Sequence, residues 1–566
     1  MNRCFSRMVI KATFGSFLFF MSSNCWATTY YLNASAGMDS NNGTSSSTPW
    51  KSIAKVNAST FLPGDKILFS AGETWREMLY VPSSGTAGKP ITFGSYGSGY
   101  KPVISGANVI NPGASWSISS AANTWQTTGI SLEPKVVAMN GRMGRKKGSL
   151  SKLKGEYDWY WNAGVLTIWS AADPDTAYTW PGVEIGQRNT CLTWNAKNYL
   201  SFQNIDFVAA NRYNIFIDGI SSNILFDSCG LYKAYQHGIN HSSLFASSYV
   251  TLRNCTVAYN GGVGILANGN TDHWTIQGNT VYNNGYTNEP GGVENTWGAG
   301  IKMVGTRGGA TCKNHLVENN EVYYTGYLDN GTTRVINVPN KGFGIWADLV
   351  DSGNVAANGN IVRNNHVHHN ADSGLFIEKS RYCSYYYNIS YGNGQYGLRM
   401  DADENGPVVQ DNYVYNNVFY GNIVGLYVAG GWSDNGIYVR DNIFMNNISV
   451  GNSSRQLLTR WGGDNDVLRG SGNIYGFNAF GPEQANFIEW GQNELKSSYA
   501  SWNNSYGSDT HSVSSDPLLR DPAIADFTLQ PASPCLDAGT DVGITVDYNG
   551  NPVPYNNRVD VGAFEK

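Results

Sequence analysis

Charged side chains make up only 14% of this 566-residue chain, and its formal charge is −5. No long basic tract occurs anywhere, which argues against nucleic acid as a partner. The one concentration of cations, Arg142, Arg145, Lys146 and Lys147, reads as a solvated turn. Cysteine is thin and scattered: eight in all, with neither the compact spacing of a disulfide framework nor that of a zinc site. An amphipathic helical period between strands is also missing, which excludes alternating α/β architectures.

Apolar runs are short except near the start. Arg3, Arg7 and Lys11 precede the run Phe14 to Met21 and then Cys25-Trp26-Ala27, so residues 1–27 read as a secretory signal cleaved after Ala27. Its apolar core is too short to span a bilayer, and a lipid-anchored reading through Cys25 meets a poor surrounding motif. A secreted or periplasmic address is therefore expected, with no membrane span. Without the three signal cations the charge is 35 − 43, or −8. Six cysteines remain: Cys191, Cys229, Cys255, Cys312, Cys383 and Cys535. Cys229 and Cys255 fall one repeat apart, equally suited to stacked thiols or a bridge.

What is abundant is Gly (65), Tyr (35) and Trp (17), the composition of a turn-rich all-β chain with many aromatic faces. A recurrent segment of Gly, aliphatic, then alternating outward and inward residues begins at Gly238, Gly264, Gly300, Gly344, Gly374, Gly397 and Gly425. Each is followed by a strand that closes on an Asn step, at Asn279, Asn320, Asn365, Asn388, Asn417 and Asn442, with Asn204, Cys229 and Cys255 in the same column upstream. The steps from Asn279 onward are 41, 45, 23, 29 and 25 residues, a unit near 23 to 25 with insertions in some turns. Period-2 strands in a unit of that size predict a parallel solenoid whose coils stack over a continuous core, with Asn amides bonded up and down a ladder.

On these motifs the chain resembles the right-handed parallel β-helix superfamily typified by pectate lyases, most closely over residues 190–450. The fold class expected is all-β, a right-handed parallel β-helix with an N-terminal cap and a small antiparallel insertion. Boundaries are expected at 28–106 for the cap and first coils, 107–188 for the insertion, 189–450 for the core and 451–566 for the last coils and closing segment. A short helix around Pro49 to Ala54 is expected to cover the first coil.

Residues four positions after each Gly lie on the outer face. There three consecutive coils present Asp348, Glu378 and Asp401, stacked at about 4.8 Å per coil. Like charges at that spacing require a bound cation, a neighbouring Lys or Arg, or a retained proton. The adjacent column, two positions after the Gly, supplies Lys302, Trp346, Phe376, Arg399 and Tyr427 as candidate saccharide contacts. Long inserts ahead of Lys302 and Trp346 add Glu289, Glu294, Trp297, Asp329 and Arg334 as candidate contacts from cleft walls.

Two carboxyls suit glycoside hydrolysis, by retention or inversion according to separation. Crowding selects the central Glu378 as acid, with Asp348 or Asp401 as base or nucleophile; no cofactor is required. What the resemblance implies as the rival is uronate β-elimination or C5-epimerisation, with Ca2+ on Asp348, Glu378 and Asp401 and Lys302 or Arg399 near the proton. No complete lyase motif is present, nor the clustered Asp and Gly-His-Gly of polygalacturonases. A sugar-binding adhesin and a spike module are the non-catalytic readings; no trimer-forming segment is present, and a monomer is expected. His366, His368 and His369 invite a metal reading, but their place in the Asn365 step favours surface and ladder roles.

Overall fold

The structure, a computed structural model, describes residues 26–110, 116–285, 297–305, 312–327, 331–332, 342–351, 359–402, 409–429, 439–460, 472–491 and 493–566. The signal-like segment 1–25 therefore lies outside the described residues. Three long sheets, of 13, 15 and 11 strands, run along the molecule, and successive coils pair in parallel within each of them. Each coil thus carries three strands, where the sequence pattern suggested two. The strand missed is the middle one, such as Thr275–Gln277 or Leu316–Glu318. In those two coils it is only three residues long and lacks a Gly or Asn marker, whereas in later coils Asn412, Asn442 and Asn473 precede it.

The Gly-initiated strands form the first sheet, including Ala299–Val304, Phe343–Asp348, Leu375–Glu378, Tyr396–Asp401 and Val424–Ala429. Their inward residues Ile345, Ala347, Leu375, Ile377, Leu398 and Met400 are fully buried in the shared core. The glycine is required by the approach of the next coil. A Cβ on Gly344 would stand 2.5 Å from the carbonyl oxygen of Gly374 and against Val367, and one on Gly264 would stand 2.6 Å from that of Gly300. Gly344→Ala is accordingly expected to lower the melting temperature, because the obstacle includes rigid backbone. An unchanged Tm would show that the coils can separate without cost.

Between the second and third sheets the chain turns through one left-handed residue and then an Asn. Asn319, Asn364 and Asn416 have φ of 55°, 55° and 51°. The following amides form the expected ladder, Asn279, Asn320, Asn365, Asn388, Asn417, joined by side-chain bonds of 2.9 to 3.0 Å. It continues through Asn447 and Asn478, not Asn442. Asn442 belongs to a second ladder with Asn412 and Asn473, five residues earlier in the coil. A third ladder runs from Asn370 through Asn393 and Asn422 to Asn452. Upstream the column holds Ile205 in place of Asn204, since Asp206 pairs with Gly230 and sets Ile205 opposite Cys229. Asn204 is itself the left-handed turn residue, with φ 56°.

All six cysteines of the described chain are free and buried, so Cys229 and Cys255 are stacked thiols. The first coil is covered by the helix Ile53–Asn57, capped by Ser52, with Ile53 and Val56 buried. A second helix, Tyr499–Tyr506, covers the other end with Trp502 fully buried. The described residues between 107 and 186 form two small and mostly antiparallel sheets around Trp159, Ile168 and Ile185, the expected insertion. Its cations are less free than a solvated turn implies: Arg145 and Lys147 pair with Asp158, and Lys146 pairs with Glu133. The closing segment packs Phe527, Leu529, Val561 and Phe564 against third-sheet residues Ile389, Val418 and Ile448.

Candidate active site on the first sheet

The parallel register sets Asp348 opposite Glu378 and Glu378 opposite Asp401. Lys302, Trp346, Phe376, Arg399 and Tyr427 follow one another in the neighbouring column. Both columns are assembled as the spacing suggests. Each carboxylate has its own cation. Lys302 Nζ lies 2.9 Å from Asp348 Oδ2, Lys379 Nζ lies 3.3 Å from Glu378 Oε1, and Arg399 donates to Asp401 Oδ2 from two nitrogens at 2.6 and 3.2 Å.

Lys379 was not legible as a site residue. Strand alternation sends the position after Glu378 inward, but its backbone is left-handed, with φ 47°. That turn brings its ammonium back beside the column. A non-glycine residue at a strand end before a Ser is a weak signal, and nothing in the spacing marks it.

Burial pushes the Glu378 carboxyl up to about 7, and the negative charge of Asp348 adds to the effect; Lys379 and Lys302 oppose it, and Asp401 reinforces it. Burial also lowers the Lys302 ammonium, against the pull of Asp348. Arg399 moves the other way: burial disfavours its charge, but Asp401 holds it more firmly protonated than usual. The site therefore contains a carboxylic acid that keeps its proton near neutrality, beside a carboxylate tied to a lysine. Asp348 Oδ1 is buried without a hydrogen-bond partner among the described residues.

The aromatic residues divide. Trp346 and Phe376 are only 2% and 3% exposed, so they are not open platforms for a sugar. They stack on each other at 5.4 Å and pack with Phe343. Lys302 Nζ lies 3.2 Å from the centre of the Trp346 ring and the Arg399 guanidinium 4.7 Å from that of Phe376. These rings hold the two cations in place. Trp297 is the exposed aromatic, 51% accessible, with its ring edge-on to Trp346 at 6.1 Å. Tyr427 is half-buried and stacked on Tyr396 at 4.5 Å. Glu289, Glu294, Asp329 and Arg334 lie outside the described residues.

As a calcium set the three carboxylates fit poorly. An oxygen of each faces an ammonium or guanidinium, whereas Ca2+ takes six to eight oxygens.

Residues 310–460 match the family model described as "Right handed beta helix region". With the stacked parallel sheets, this match shows a right-handed parallel β-helix fold. A lacto-N-biosidase of Bifidobacterium longum subsp. longum is 40% identical over 102 residues, which is 17% of this chain and only 6% of that protein's length. Among solved structures, the complex of XylC with xylose is similar with a TM-score of 0.52 and 16% identity, over 74% of this chain and 75% of that one. A lacto-N-biosidase from Eubacterium ramulus is similar with a TM-score of 0.41 and 14% identity, over 82% and 68%. At these identities the structural likeness is one of fold. No helix among the described residues is long and apolar enough to cross a membrane.

Proposed function

We propose that the protein is an exported glycoside hydrolase acting on an oligosaccharide or polysaccharide, with Glu378 as general acid and Asp348 as the second carboxyl. The observation that carries this reading is a carboxyl held up to about 7 directly between two other carboxylates in consecutive coils. Protonated, Glu378 gives its proton to the leaving glycosidic oxygen. Asp348, one coil away at about 4.8 Å, falls nearest the separation at which the second carboxylate attacks the anomeric carbon directly, the retaining geometry. Asp401 is the weaker partner, because Arg399 occupies one of its oxygens with two hydrogen bonds. Its role is to fix Arg399 and add negative charge beside Glu378. Trp297 and Tyr427 are the faces on which sugar rings stack. The sugar-cleaving name of the B. longum relative and the xylose in the XylC complex support a saccharide as ligand.

The elimination alternative lacks a fitting calcium set, and Lys302, its nearest base, is bound to Asp348. Incubation with neutral and uronate saccharides separates the two readings. New reducing ends without unsaturated-uronate absorbance, insensitive to EDTA, support hydrolysis. EDTA-sensitive absorbance would replace it with lyase chemistry, and inactivity on every substrate would favour a binding solenoid.

The pH dependence has a defined sign. Activity is expected to fall as pH rises through about 7, where Glu378 loses its proton. Lys379 opposes that retention, so Lys379→Gln should move the alkaline limb of kcat/KM to higher pH. A limb that stays in place or moves down would remove Glu378 as the acid.

A further inference from the structure

A second cluster lies on a different face of the coil, the outer side of the third sheet. His366 and His368 are two apart on the strand His366–His368, so both rings project the same way. Glu321 sits directly opposite His366 in the preceding coil. One potential ligand atom from each of Glu321, His366 and His368 lies within 4.8 Å of the other two. We propose that these three residues form a binding site for Zn2+, with a fourth position left open toward solvent.

The distances favour a metal over hydrogen bonding. Glu321 Oε1 is 3.9 Å from His366 Nδ1 and 3.6 Å from His368 Nε2, too long for good hydrogen bonds. Donors around a tetrahedral zinc at bonds of about 2.0–2.1 Å stand about 3.3 Å apart, so rotations of the half-exposed Glu321 and of the imidazoles close the site. His368 Nε2 is buried and has no hydrogen-bond partner among the described residues, a costly state for a polar atom that an ion would relieve.

One ligand ring is flanked on both faces. His368 is stacked between Tyr323 at 5.1 Å and Tyr391 at 4.9 Å, its register neighbours. Its other nitrogen, Nδ1, lies 2.9 Å from His369 Nδ1, the kind of outer contact that fixes which nitrogen faces a metal. The cluster is confined to one coil step, since the residues aligned with Glu321 and His366 on either side are Thr280 and Ile389. The carboxyl and two imidazoles are the ligand chemistry of borderline divalent ions, in contrast to the all-oxygen sets of Ca2+ and Mg2+. The closing segment reaches this region through the bond from Asn364 Nδ2 to the Tyr548 carbonyl at 3.2 Å.

The test uses the full chain, free of any histidine tag and stripped with EDTA, dialysed against micromolar Zn2+ with the bound metal then measured. About one Zn2+ per chain is expected for a single site of this type, and Co2+ in its place should give the visible spectrum of a four-coordinate ion. His368→Ala and Glu321→Ala should each weaken binding at least tenfold; the latter changes an exposed side chain, so its fold is expected to persist. Binding by the parent that neither substitution weakens would place the ion elsewhere and overturn the proposal, as would a parent chain that binds no zinc.

Discussion

Glu378→Gln is expected to reduce kcat by about 10²–10⁴-fold, the range a positioned general acid contributes, while leaving the fold intact. The amide matches the neutral carboxyl in size and cannot deliver the proton. The stability consequence separates this result from simple misfolding. Glu378 has a folded pKa raised from 4.5 to about 7, so the unfolded chain gives up its proton first as pH rises. Folding then becomes less favourable between those values, by up to about 1.4 kcal/mol per pH unit. The variant escapes that cost. Its melting temperature should match the parent near pH 4 and exceed it at pH 8. A variant that keeps full activity on the substrate of the parent would sink the assignment of Glu378.

Asn388→Ala is expected to be strongly destabilising. Asn388 Oδ1 accepts from the backbone N–H and the side-chain amide of Asn365 at 3.1 and 2.9 Å. Its own amide donates to Val362 O at 2.9 Å and to Asn417 Oδ1 at 3.0 Å. Truncation removes these four buried bonds and leaves the Asn365 backbone N–H unpaired, while the Asn365 amide keeps Val317 O and Arg363 O; at about 0.5–1.5 kcal/mol per lost bond and about 1–3 kcal/mol for the unpaired donor, a loss of about 3 kcal/mol or more is expected. Thermal and urea melts with the exposed helical change Asn504→Ala as control would check it. A loss below about 1 kcal/mol would mean that water enters the ladder and replaces the amide.

The carboxylate column was legible because strand alternation and the Gly marker together specify the outer face, and parallel stacking preserves that register from Asp348 to Asp401. The ladder was legible in kind and misplaced at one end. Asn442 and Asn447 are both ladder residues, and a count of chain length cannot choose between two Asn columns five residues apart. Trp346 and Phe376 show another limit. Alternation says which side of the sheet a ring is on, while its burial depends on neighbours such as Phe343 that cluster only in three dimensions. Lys379 escaped for the opposite reason, because a single left-handed φ reverses what alternation implies. Charge pairing in the site likewise depends on side-chain paths that a pattern of residue types leaves open.

The ladder bonds also show that contour length and pitch are independent in this molecule. Partners 41, 45, 23 and 29 residues apart along the chain are joined at 2.9, 3.0, 2.9 and 3.0 Å. Whatever a coil carries in its turns, the next coil is set down at the same height. Extra residues are therefore geometrically silent at the column where Asp348 and Glu378 meet. Such a frame permits the rim of a site to lengthen or shorten over generations while the column residues keep their spacing, so that what the rim selects and what the column does can change separately.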